Sequence, residues 1–119
     1  LTISNYLDFL LEGTLHHLGL SNDRDSDRMT KANPPIRCDE DVEYLWKRVK
    51  DQTIGTIVSD HACITKELKK GDIWTSLPGF GGTSLMFPLL ITEGYYERGL
   101  SLERIVELSS YNPAKYHNR

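Results

Sequence analysis

The run Thr53-Ile54-Gly55-Thr56-Ile57-Val58, followed at once by Ser59-Asp60-His61, has the composition of a strand covered on both faces. It is short, rich in β-branched residues and bounded by polar ones. It lacks the in-out alternation of a half-exposed strand, as a strand inside a parallel sheet does. Such a strand is not stable alone and needs parallel neighbours, with helices above and below. The chain offers one further strand candidate, at its extreme N-terminus. Most of the sheet is therefore expected to lie elsewhere, and residues 1–119 are expected to form a single piece of a larger α/β domain.

Upstream of this strand, Asp39–Lys50 (DEDVEYLWKRVK) carries the signals of a helix. Val42, Leu45, Trp46 and Val49 recur at i, i+3, i+4 and i+7 and share one face. Asp39, Glu40 and Asp41 stand at the positive end of the helix dipole, and Lys47, Arg48 and Lys50 at the negative end. Downstream, Ser84–Arg98 reads as a helix with Pro88 in its first turns. Ser101–Ser110 reads as another, with Ser101 as its N-cap. Asn112-Pro113 reads as a cap and a first-turn proline that open a third. The order helix, buried strand, helix, helix is α/β in character. Before all of these, Asn5–Leu11 is an apolar run broken at Gly13, Ser21–Arg28 (SNDRDSDR) reads as a surface loop, and Asn33-Pro34-Pro35 is rigid and extended.

Composition agrees with an ordinary globular chain of 119 residues: 39% hydrophobic, 26% charged and 9% aromatic, with a net charge of −3. A weakly acidic chain of mixed charge is a poor partner for phosphate backbones, so nucleic acid is not an expected ligand. No apolar run approaches the roughly 18 residues of a membrane span. Two lone cysteines, Cys38 and Cys63, favour a reducing, cytoplasmic setting over a disulfide scaffold.

Several residues could carry chemistry. Asp60 directly follows the buried strand, and parallel α/β folds place catalytic groups at the C-terminal ends of strands. A carboxylate there can ligate a divalent metal and take a proton from its water; the plainer alternative is that Asp60 caps a turn. His16 and His17 are neighbours whose side chains would diverge by about 100° on a helix, so they read as surface or packing residues. Asp23, Asp25 and Asp27 imitate the start of a calcium loop, but Arg28 replaces its glycine and Pro34 its closing Glu, so that reading fails. Gly79-Phe80-Gly81-Gly82 precedes a helix and matches neither glycine-rich nucleotide fingerprint. Cys63 reads as a small packing residue near the strand end.

Taken in order, Asn33-Pro34-Pro35-Ile36-Arg37, Val58-Ser59-Asp60-His61, Pro78-Gly79-Phe80-Gly81-Gly82, Pro88-Leu89-Leu90, Gly99-Leu100-Ser101-Leu102-Glu103-Arg104 and Asn112-Pro113-Ala114-Lys115 resemble the C-terminal barrel portion of the cyclic amidohydrolases. That family includes dihydropyrimidinase or hydantoinase, allantoinase and dihydroorotase. The resemblance runs from about Thr30 to Lys115.

It implies a C-terminal fragment of a (β/α)8 TIM-type barrel that hydrolyses the ring amide of a small cyclic imide or ureide. It also implies a divalent metal centre, binuclear zinc in most of the family, and a homo-oligomeric (tetrameric or dimeric) parent. Asp60 matches the aspartate that binds the more buried metal and shuttles the proton, with His61 supporting it. Asn33 and the Gly79–Gly82 loop (Gly79, Gly81, Gly82) match backbone contacts to the substrate ring. A branched Cβ at Gly82 is then expected to cost activity more than stability. The family's remaining metal ligands lie on upstream strands and have no counterpart here. Leu1-Thr2-Ile3-Ser4 falls where relatives have a Glu-Thr-Cys-Pro type segment, just past the last histidine ligand, and the family's small β-sandwich is also absent.

Ile64 stands where dihydroorotases carry a second histidine. Asn33–Arg37 and Lys66-Glu67-Leu68-Lys69 lean towards allantoinase. Pro88-Leu89-Leu90 and Leu100–Arg104 lean towards hydantoinase, and the resemblance favours that subgroup narrowly. The competing class is a non-catalytic, dihydropyrimidinase-related scaffold protein.

Overall fold

The computed structural model describes residues 10–25 and 27–117. Two short parallel strands, β1 (Glu12–Thr14) and β2 (Thr56–Val58), pair in the register Glu12 to Thr56, Gly13 to Ile57 and Thr14 to Val58. The strand foreseen over Thr53–Val58 is thus present, trimmed to its last three residues. Its partner is not at the extreme N-terminus: β1 begins at Glu12, and Gly13, which reads as a break, lies inside it. Leu1–Ser4 and most of the Asn5–Leu11 run fall outside the described residues.

Helix α1 (Leu15–Gly19) leaves the end of β1 directly, and α2 (Asp39–Lys50) has the bounds its charge pattern predicts. Asp23 and Arg24 of the preceding loop fasten its first turn: Asp39 N–H donates to the Asp23 carboxylate at 2.8 Å, and Arg24 Nε donates to Asp39 at 2.7 Å. The Arg24 hydrogen bond, with Ser21 adding to it, holds the Asp39 carboxyl below its ordinary range. The loop is on the surface as expected, except that Ser21 is fully buried.

The C-terminal half is helical. A 3₁₀ turn at Thr83–Leu85 leads into α3 (Met86–Leu89), which widens to π-helical winding over Leu90–Glu97. After Gly99, Ser101 caps α4 (Leu102–Val106) by accepting from the Arg104 N–H at 3.1 Å. The winding widens again over Glu107–Tyr111 and continues into α5 (Asn112–Tyr116). Asn112 is therefore a helical residue rather than a cap. Its amide donates to the Gly55 carbonyl at 2.7 Å instead.

The core gathers on the strand pair. Val42, Trp46 and Val49 from α2 meet Ile54 and Ile57 around β2, with Leu90, Ile105 and Leu108 from the C-terminal helices. Burying each such side chain contributes about 1.5–3 kcal/mol. Polar groups inside this core are matched. Trp46 Nε1 donates to the Leu18 carbonyl at 2.9 Å, and the Thr56 hydroxyl to the Leu108 carbonyl at 2.8 Å. Buried Arg104 reaches the Val49 and Ile54 carbonyls at 3.3 and 2.8 Å, joining the end of α2 to the approach of β2. Among the described residues no helix is long and apolar enough to cross a membrane.

Candidate functional site

Because β1 and β2 are parallel and in register, the residues that leave their C-terminal ends emerge together. His16 follows β1, and Asp60 follows β2. Asp60 turns the chain sharply, at φ +42°, a conformation that Asp tolerates better than most residues. Its side chain is 57% exposed, so the carboxylate is free to meet a ligand.

His16 is 3% exposed, and its Nε2 lies 3.7 Å from Asp60 Oδ2. Burial pushes the His16 pKa down, His17 and Lys69 add to this, and Asp60 opposes it. At 3.7 Å the contact is too long for a hydrogen bond. Both ring nitrogens are buried and make no hydrogen bond.

His16 and His17 do not diverge as a regular helix suggests. Their ring centroids are 4.5 Å apart, and the Phe80 ring lies 5.1 Å beyond His16. His17 ties the site to the Asn33 loop. Its Nε2 lies 2.9 Å from the Pro34 carbonyl, which can only accept, so Nε2 carries the hydrogen and Nδ1 receives the Thr14 hydroxyl. Asn33 itself is exposed, and the Asn33–Pro34 peptide is cis.

The glycine loop is anchored next to Asp60. Ala62 N–H donates to the Phe80 carbonyl at 2.7 Å, and His61 pairs with Phe80 in a parallel bridge. His61 supports this loop and not the Asp60 carboxylate: its exposed ring accepts from the Thr83 N–H at 3.3 Å through Nδ1. Gly79 sits at φ +120°, where a side chain is strained. A cavity of about 530 Å³ opens between Leu15, His16, Met29, Phe80, Gly81 and Leu89. Its walls are mostly apolar. Asp60 is not among its lining residues, and His16 is the group that borders both.

Cys63 is exposed and not a packing residue. Asp25 and Asp27 accept backbone N–H groups of Ser21 and Met29, as turn residues do. Among the described residues no group of three His, Cys, Asp or Glu side chains could enclose a metal. Asp60 offers one exposed carboxylate donor. His16, read as a surface or packing residue, is buried and packs against the His17 and Phe80 rings, and its place beside Asp60 is an addition from the structure. Its signal, a place directly after a parallel strand, is visible only once Glu12–Thr14 is recognised as one.

The chain is similar in sequence and in fold to known proteins. The chain is 36% identical over 113 residues to an allantoinase of Rubrobacter xylanophilus, covering 92% of this chain and 25% of that protein. It is 41% identical over 106 residues to a dihydroorotase of Halobacterium salinarum, covering 87% and 25%. Its structure superposes on the L-hydantoinase (dihydropyrimidinase) of Arthrobacter aurescens with a TM-score of 0.81 at 32% identity, covering 97% of this chain and 27% of that one. A D-hydantoinase of Thermus sp. shares the fold, with a TM-score of 0.85 at 21% identity. No protein-family model matches the chain. The chain belongs to the cyclic amidohydrolase family. It spans about a quarter of the length of the curated relatives it matches.

Proposed function

We propose that residues 1–119 form the C-terminal part of a (β/α)8 barrel that opens the ring of a cyclic imide or ureide of the dihydropyrimidine or hydantoin type. The observation that carries this reading is the position of Asp60. It is an exposed carboxylate on a left-handed turn at the C-terminal end of a parallel strand, level with the end of its neighbour and beside the anchored glycine loop. In this reading Asp60 is one ligand of a divalent, binuclear zinc centre whose other ligands come from strands upstream. A bound metal of this kind polarises a carbonyl and acidifies its water. Asp60 would accept the proton that water gives up as its oxygen bonds to the ring carbonyl carbon, and would deliver it to the ring nitrogen as the C–N bond breaks. Backbone groups of Asn33 and of Gly79–Gly82 bind the flat imide edge, whose alternating C=O and N–H groups suit backbone partners.

The L-hydantoinase likeness at 32% identity supports the hydantoin or dihydropyrimidine substrate. The allantoinase relative at 36% identity favours a second reading, an allantoin ring. The test is to purify the full-length polypeptide containing this chain, measure bound zinc, and follow ring opening of hydantoin, dihydrouracil, allantoin and dihydroorotate. Zinc with turnover of hydantoin or dihydrouracil is expected. Turnover of allantoin or dihydroorotate alone reassigns the substrate. A metal-free protein inactive on all four is instead a scaffold of the dihydropyrimidinase-related kind.

A further inference from the structure

Lysine is rarely buried without a partner, yet Lys69 is only 4% exposed. Its ammonium donates to the carbonyls of Met29 at 2.9 Å and Lys31 at 3.2 Å, and lies 4.5 Å from the centroid of the Phe80 ring. Donation also runs the other way. Lys31 Nζ donates to the carbonyls of Ile73 at 2.7 Å and Ser76 at 2.6 Å. The Lys31 carbonyl is the shared node, because the Gly79 N–H donates to it at 2.9 Å alongside Lys69.

These bonds join two segments. One runs through Met29 and Lys31 to Asn33; the other runs from Lys69 through Ser76 to Gly79–Gly82. No regular helix or strand covers the two segments between Lys31 and Asn33 or between Lys69 and Gly82. No ladder therefore sets their separation, and a cation from each segment donates into carbonyls of the other. Such charge-assisted bonds are short and strong for their kind.

We propose that Lys31 and Lys69 form a two-way clasp that fixes the spacing between the Asn33 loop and the Gly79–Gly82 loop, and with it the relative placement of the backbone groups assigned above to the ring's planar edge. Both are positioning residues: they act through the backbone groups that meet the substrate. The inference rests on the ring-opening reading above. A lysine suits the role because its compact ammonium has three donors, enough for two carbonyls and a ring face. Methionine keeps much of the length and none of the donors.

The test compares the full-length polypeptide with its Lys69→Met, Lys69→Arg and Lys31→Met variants, Lys31→Met serving if Lys69→Met fails to fold. Kinetics use whichever cyclic amide the wild type opens. Backbone hydrogen exchange is read at Gly79 and across residues 29–33, with α2 as internal reference. The clasp predicts a KM raised about tenfold or more with kcat within about threefold, since ground-state positioning is lost and the reacting groups are kept. It also predicts faster exchange at Gly79 with α2 unchanged, zinc content unchanged, partial rescue by Lys69→Arg, and a double methionine variant little worse than either single one. Unchanged KM with normal exchange at Gly79 would overturn it, as would exchange that quickens equally in α2. A wild type that opens no cyclic amide refutes the ring-opening reading and the substrate part of the clasp together. The exchange pattern then decides whether the clasp itself exists.

Discussion

Gly82 passes so close beneath the end of β2 that a Cβ placed on it would lie 2.8 Å from the Ser59 carbonyl oxygen and would also strike the Leu15 side chain. The close approach is to the protein's own backbone, so a side chain there displaces the strand end that carries Asp60. Gly82→Val is thus expected to cost stability and activity together, and not activity more than stability as the loop's resemblance suggests. Overpacking of this sort costs about 1–3 kcal/mol. Gly81 is the control, because its Cβ would meet only His61 Cε1 at 3.6 Å. Thermal denaturation with parallel rate measurements on both variants checks the contrast. A Gly82→Val protein of wild-type stability contradicts it.

Arg104 supports a second prediction. Its guanidinium is buried, satisfies the Val49 and Ile54 carbonyls, and pairs with Glu107 at 2.8 Å. Arg104→Met takes the donor from the Ile54 carbonyl, whereas the Val49 carbonyl keeps the Gln52 N–H at 3.4 Å, and an unsatisfied buried group costs about 1–3 kcal/mol. Denaturant unfolding should show a loss of about 1–3 kcal/mol. Glu107 is 44% exposed on the other side of the pair, so Glu107→Gln should cost under about 1 kcal/mol. Equal effects from the two substitutions would show that the ion pair, and not the carbonyl contacts, is what matters.

Legibility differed from element to element for physical reasons. Helix α2 was plain because its charge gradient and apolar spacing repeat one message over three turns. Strand β2 was plain because a short β-branched run without alternation packs well only when both its faces are covered. Its partner was hidden: Glu12-Gly13-Thr14 has almost no strand propensity and pairs only because β2 lies alongside. The junction at Asn112-Pro113 misled because that dipeptide usually opens a helix. Here the π-wound turn before it accommodates the proline's missing N–H, and the helix runs through. The place of Asp60 directly after a strand is legible in the sequence, because β2 is. That His16 stands beside Asp60 is not legible without the same knowledge about β1.

A third prediction concerns the strand pair. Among the described residues each strand has one neighbour, which leaves β-edge donors and acceptors unpaired. Leu85, Phe87 and Val106 are also more than half exposed. Unpaired edges beside apolar surface promote self-association. The 119 residues expressed by themselves should associate or lack a cooperative melt, as sedimentation and calorimetry would show. A soluble monomer with one sharp thermal transition contradicts this.

The central claim is that Asp60 both ligates metal and carries the proton. Asp60→Asn in the full-length polypeptide keeps the size of the side chain and removes its charge and its basic site. General base action is commonly worth about 10²–10⁴ in rate, so kcat for ring opening should fall by at least about a hundredfold. Bound zinc should be retained in part, because the other ligands hold it. A variant that keeps most of its turnover on the same cyclic amide would contradict the role assigned to Asp60.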